Sequence, residues 1–189
     1  MNKSSRMITW FRNEPLPVFM NDTSLVIGGT NLITAFMDSI VIHDCSGELG
    51  ITVPFVDSRF MVACPAWQEL NHADVDLFLV VKGEMDVKAA MDQLSPFPWR
   101  SLRISRFRTL HAKVFTFVGG NGMSQALVGS HNLTAAAAKK NYETGVMIRS
   151  SGPGETAMTI ADLHERSRKI LKNSGRRYDT SCWPTYTFN

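Results

Sequence analysis

The stretch from Leu110 to Leu133, LHAKVFTFVGGNGMSQALVGSHNL, constrains the fold more than any other part of the chain. Two strand-like runs flank Gly119-Gly120-Asn121-Gly122, and residues that tolerate positive φ between two such runs predict an antiparallel hairpin. Alternation along HAKVFTFV places His111 and Lys113 on one face, with Ala112 and Val114 behind them. Ser130 and Asn132 close the partner strand, so the hairpin predicts four polar groups converging at one of its ends.

The rest of the chain alternates between helical and extended patterns. LITAFMDSIVIH, within Asn31 to His43, has apolar residues at helical spacing, with Thr30 available as N-cap. Ile51 to Asp57, ITVPFVD, reads as a short extended run in which Pro54 predicts an edge position or a bulge. Cys64 to Leu70 predicts a short helix, Asp76 to Lys82 a buried strand, and Met85 to Leu94 a helix closing before Pro96. SLRISRF, HAKVFTFV, QALVGS and TGVMIR predict the strands of the second half, with a helix from about Thr134, TAAAAKKN, between the last pair. Ser150-Ser151-Gly152-Pro153-Gly154 breaks the chain before a final helix over Glu155 to Asn173. Together these predict an α/β sheet flanked by helices, with the hairpin at its centre.

At 189 residues, 44% of them hydrophobic and 20% charged, the chain suits a single domain over 1–189 with a real core. The first 20 residues read either as an arm exchanged between protomers or as a disordered lead. No apolar run approaches the roughly 20 residues of a membrane-spanning helix, and the start lacks the apolar segment of a secretory signal. A soluble, cytoplasmic protein is expected. Cys45, Cys64 and Cys182 stand singly, outside zinc or redox spacing, and read as reduced thiols. The formal net charge of +3 says little about partners, but its distribution says more. Arg100, Arg103, Arg106, Arg108 and Lys113 form one run; Arg166, Arg168, Lys169, Lys172, Arg176 and Arg177 form another. Each reads as a solvated face or a binding surface.

An imidazole, an ammonium, a hydroxyl and an amide facing one space make a poor metal site, because only the histidine is a strong ligand. They suit an oxyanion. Lys113 supplies charge, Ser130 and Asn132 supply donors, and His111 can attack phosphorus or pass a proton. Glu143 follows one helix later, in Asn141-Tyr142-Glu143, where it is expected to bond the far ring nitrogen of His111 and fix its tautomer.

HAK, the hairpin, GSHN, LTAAAAKKN and YETGVMI together resemble the phospholipase D superfamily, whose mark is H-X-K, a hairpin, G-S-X-N and often a downstream glutamate. The likeness is closer to its bacterial nuclease branch and covers Leu110 to Ile148. It implies a phospholipase D-like mixed β-sheet flanked by helices on both faces. The chain departs from the pattern at Val118, where the family usually has an aspartate, and in a hairpin about four residues longer than usual.

The resemblance also implies a mechanism. Family chemistry uses two histidines, and none of His43, His72, His131 and His164 opens a second H-X-K. A two-fold homodimer would therefore place both copies of His111 about one phosphate. One would form a phosphohistidine; the other would protonate the leaving oxygen and then activate water. Lysines and amides would carry the charge a metal would otherwise hold, so neither metal nor cofactor is expected. Nucleic acid, DNA before RNA, is the expected substrate, with Arg106 and Arg108 tracking the backbone and His131 adding a phosphate donor. Trp99 and Phe107 read as stacking platforms for bases or as core. Alternatives are a nucleic-acid-binding module that has lost turnover and a phospholipid phosphodiesterase; for the latter no amphipathic membrane-binding segment is found.

Overall fold

The structure, a computed structural model, describes residues 16–20, 23–28, 32–43, 46–141, 143–173 and 176–179. In chain order its elements are β1 (Leu16–Met20), β2 (Thr23–Gly28), α1 (Leu32–Ile42), β3 (Gly47–Thr52), α2 (Phe60–Ala63), α3 (Ala66–Glu69), β4 (Val75–Val81), α4 (Glu84–Leu94) and β5 (Ser101–Arg106). There follow β6 (Val114–Gly119), β7 (Ser124–Gly129), α5 (Ala135–Lys139), β8 (Gly145–Ser150), α6 (Glu155–Asn173) and β9 (Arg176–Asp179).

VDLFLVV in β4 is apolar without alternation, and such a run is stable only when helices cover both faces of its sheet. That is what is found. Among the described residues one nine-stranded sheet runs in the order β1-β2-β8-β7-β6-β3-β4-β5-β9, with β3, β4 and β5 parallel and the remaining pairs antiparallel. The helices α1 to α5 pack on one face, where Phe36, Phe60, Trp67, Phe115, Phe117 and Leu127 are buried together. Helix α6 covers the other, burying Leu171 against Phe78, Val80 and Leu110. Each such side chain contributes about 1.5–3 kcal/mol over leaving it in water.

The amphipathic stripe of α6 is Ile160, His164, Ser167 and Leu171. His164 within it is a polar anchor: its Nδ1 lies 2.8 Å from Thr116 Oγ1 on β6 and its Nε2 3.4 Å from Glu48 Oε2 on β3. Arg103 and Arg168 approach the same carboxylate at 2.8 and 3.5 Å. Burial would raise the Glu48 carboxyl, but the His164 hydrogen bond and the charges of His164, Arg168 and Arg103 hold it below its ordinary value.

Helices α1, α4, α5 and α6 and strands β4, β5, β7 and β8 lie where the sequence patterns place them. The turn between β6 and β7 also forms, with Gly122 at φ +87°. Elsewhere the structure differs. Strand β3 begins at Gly47 and ends at Thr52, so it is an interior strand paired on both sides, and Pro54 lies beyond it rather than in an edge or bulge. Its glycines hid it from hydropathy: a Cβ on Gly50 would meet the Phe78 ring and Thr116. The short helix expected within Cys64 to Leu70 forms as α3, Ala66–Glu69, while α2, Phe60–Ala63, just before it has no counterpart in the sequence patterns. His111 and Lys113 precede β6 rather than opening it. Arg176 and Arg177 belong to β9. Of the first 20 residues, Leu16–Met20 form the edge strand β1; residues 1–15, Thr30, Cys45, Tyr142 and Cys182 lie outside the described residues.

Candidate active site

The chain leaves the parallel strands at the end of β5 and returns on the other side of β3 as β6. Strand order therefore reverses between β3 and β6, the kind of position where loops beyond carboxyl ends of open α/β sheets hold ligands. Residues 107–113 make this crossing, anchored by the Phe107 amide on the Val81 carbonyl (2.8 Å) and by buried Leu110. His111 follows exposed, and Lys113 half-buried. The Lys113 carbonyl accepts from the Gly129 amide at 3.3 Å, which extends the β6–β7 ladder one residue past Val114 and Val128.

From there the ladder continues into β8, where Gly129 faces Gly145. Beside that pair the Ser130 amide donates to the Thr144 carbonyl at 2.8 Å, and the Thr144 amide donates to Ser130 Oγ at 3.0 Å. The Ser130 hydroxyl in turn donates to Glu143 Oε2 in a short bond, while Asn141 Nδ2 donates to Glu143 Oε1 at 3.0 Å. Ser130 and Glu143 are thus bonded to each other, and Lys113 joins their row across three strand ends through its backbone carbonyl on Gly129. This corrects one expectation: buried Glu143 is held by Ser130 and Asn141, not by His111.

The glycines in the row have a steric cause. A Cβ on Gly129 would lie 3.1 Å from His131 Nδ1, and one on Gly145 would lie 3.0 Å from His131 Cε1. Together they form a slot for the imidazole, which is fully buried. His131, expected to contact phosphate, is an interior side chain.

Past His131 the chain is held from β3. Leu133 and Val56 form a short parallel bridge, with the Leu133 amide on the Phe55 carbonyl and the Asp57 amide on the Leu133 carbonyl, both at 3.2 Å. Asp57 Oδ2 accepts from the Ala135 amide at 2.9 Å and Thr134 Oγ1 from the Ala137 amide at 3.1 Å, so two side chains cap the start of α5. Asp86 pins the same loop, accepting from the Val56 amide at 2.8 Å and the Gly83 amide at 3.1 Å. Asn132 is fixed between these anchors. Asp57 and Asp86 carry no sequence signal for this role, because their partners lie far along the chain.

The arginine run is largely neutralised by acids. Arg100 pairs with Asp76 at 2.5 Å, Arg103 with Glu48 at 2.8 Å, and Arg106 with Glu84. Arg106, expected on the substrate, is instead spent on this internal pair, whereas Arg108 is exposed. Trp99 packs edge-on to Trp67 and His72, its Nε1 donating to the Leu94 carbonyl at 2.8 Å. Phe107 packs on the α6 side of the core. Neither aromatic is a free platform.

No family model matches this chain, and no curated protein matches it. Solved structures do. Nuc from Salmonella typhimurium, described as a phospholipase D family member, is similar with a TM-score of 0.52 at 20% identity, over 82% of this chain and 98% of that one. NucT from Helicobacter pylori is similar at 0.50 and 13% identity, over 80% of this chain and 98% of the other. The chain has the phospholipase D fold.

Within this phospholipase D fold the replaced aspartate is explained by position. Val118 stands at the hairpin end of β6, opposite Glu48, about 17 Å along the strand from Lys113 at roughly 3.4 Å per residue. The substitution therefore removes nothing from the row of strand ends. Among the described residues, no group of three or more His, Cys, Asp and Glu could hold a metal ion, and no helix is long and apolar enough to cross a membrane.

Proposed function

We propose that this chain is a phosphodiesterase that cleaves nucleic acid, working as a two-fold dimer with His111 as nucleophile. The observation that carries the reading is the row joining Lys113, Ser130 and Glu143, with exposed His111 beside it at the reversal of strand order. One imidazole nitrogen of His111 attacks phosphorus, a P–N bond forms, and the P–O bond to the leaving group breaks. The leaving oxygen takes its proton from His111 of the other copy, which then removes a proton from water as water attacks the phosphohistidine, forming a new P–O bond and breaking the P–N bond to free the first His111. Lys113 and Asn132 stabilise the charge on the non-bridging oxygens. Ser130 takes a different part from the one first expected of it: its proton is committed to Glu143 and its lone pair to the Thr144 amide, so it braces the row. Nucleic acid is favoured as substrate because exposed Arg108 and half-buried Lys113 flank His111 in the same crossing segment.

The test is incubation of the purified chain with supercoiled plasmid in EDTA, beside His111→Ala. Cleavage by the wild type with at least a ~10³-fold loss in the variant is expected for removal of a covalent nucleophile. Equal cleavage by both would remove His111 from the mechanism, and cleavage that needs added metal would overturn the histidine route. Retarded but uncut plasmid would favour the binding module, a reading to which the engagement of Glu143 away from His111 lends support.

A further inference from the structure

The parallel bridge between Val56 and Leu133 decides what stands next to Asn132. Both bridge residues turn into the core, at 7% and 1% exposure. Because successive side chains alternate along extended backbone, the residues just before them, Phe55 and Asn132, share the opposite side, where Phe55 is exposed and Asn132 is half-buried with its Oδ1 enclosed. Paired segments lie about 4.8 Å apart, so Phe55 and the asparagine of GSHN leave the backbone as neighbours. It is 51% exposed, and it is the one aromatic among the large exposed hydrophobic residues described.

The ring is held on a fixed loop. Val53 donates to the Val80 carbonyl at 3.0 Å, Lys82 to the Pro54 carbonyl at 3.2 Å, and Val56 to Asp86 at 2.8 Å. An apolar ring kept in water on braced backbone loses no core packing by remaining there, and it is already ordered for a flat partner. Arg59, exposed on the same loop, and Lys82, half-buried with its amide on the Pro54 carbonyl, put two cations on the backbone that carries the ring.

We infer that Phe55 is a base-stacking platform and that the substrate class is an unpaired strand, with the base adjoining the scissile phosphate lying on the ring. This rests on the reading of the site as one that holds a nucleic-acid phosphate. An unpaired base offers a free π-face to an aromatic side chain, whereas a base inside a duplex has both faces covered by its neighbours. Trp99 and Phe107, which the sequence left open as platforms or core, are committed to packing, and Phe55 is the exposed ring that remains.

The experiment measures strand affinity by fluorescence anisotropy in the full chain carrying His111→Ala, so that nothing is cut. The probes are a strand of about 12 thymidines, an abasic strand of equal length and the matching duplex. The thymidine strand is expected to bind about tenfold tighter than the abasic one, and Phe55→Ala to bring the ratio to within about twofold of unity. Phe55→Trp should retain the preference; Phe55→Leu, which keeps apolar bulk but has no π-face, should lose it. A ratio near unity in the parent, or one unchanged by Phe55→Ala, overturns the inference. So does Phe55-dependent binding to anionic lipid vesicles with no preference for bases, which would make the ring a membrane contact. The two readings fail separately. Base-dependent binding by a chain whose wild type cuts nothing would leave Phe55 its role and defeat the enzymatic proposal, while cleavage that ignores bases would do the reverse.

Discussion

Ser130 donates its hydroxyl proton to Glu143 and accepts from the backbone amide of Thr144, so one small side chain ties the end of β7 to a buried carboxylate before β8. Glu143→Gln keeps the shape but replaces the charged acceptor with an amide. In the proposed reaction kcat should fall about 100-fold, by analogy with loss of a positioning carboxylate, and Ser130→Ala should cost about tenfold, the equivalent of one hydrogen bond. Steady-state kinetics on a nucleic-acid substrate would check both, and unchanged rates would make the pair purely structural.

Asp57 connects the loop after β3 to the start of α5 through the Ala135 amide. Asp57→Ala removes a helix cap, worth about 1–2 kcal/mol, and a melting scan should show Tm lower by about 4 °C. Because the same loop sets Asn132, turnover should fall by more than the melting point alone would suggest. Normal turnover at assay temperatures well below Tm would show that Asn132 is placed independently of this cap.

Val118→Asp restores the residue that the family pattern usually has, and no gain in rate is expected, because the position lies at the far end of β6 from Lys113. It also faces Glu48 across the β3–β6 pair, and like charges directly opposite are destabilising. A lower Tm with unchanged kcat is the expected pair of results. A rate increase would mean that the aspartate acts at a distance that the strand geometry does not allow for.

His72 stacks on Phe97 at 4.3 Å and meets Trp99 edge-on, and burial holds its imidazole below the ordinary value of 6.5. The unfolded chain therefore takes up the proton first as pH falls. Its contribution to stability is complete above about pH 6.5 and is lost progressively below that, as acid favours the unfolded state. Denaturant midpoints measured between pH 8 and pH 5 should fall more steeply for the wild type than for His72→Phe; parallel slopes would show that His72 does not drive the loss.

Much of this molecule is legible in its sequence, for reasons that also explain what is not. Helix α6 declares itself through local periodicity, strand β4 through a short unbroken apolar run, and Gly119 to Gly122 through the conformations they permit. His111, Lys113, Ser130, Asn132 and Glu143 are recognisable because the pattern ties chemistry to short spacing, and four of them flank a hairpin. Strand β3 is missed because its glycines are chosen by neighbours across the sheet. Arg106 and His131 are misplaced for a related reason: Glu84 comes from the start of α4, and the slot around His131 from glycines on two strands. Phe55 is invisible from composition, since only the pairing of Val56 with Leu133 reveals that it faces outward beside Asn132.

The row of strand ends ties activity to the history of folding. Lys113, Ser130 and Glu143 come from separate strands, and their support passes through β3, whose partner β6 lies far along the chain. Local pairings such as the hairpin close early and distant ones late, because longer loops lose more entropy on closing. The row's own bonds close within the local β6–β7–β8 meander, but the loop that fixes Asn132 joins it only with β3, so recovery of turnover after dilution from denaturant would time the β3–β6 pairing.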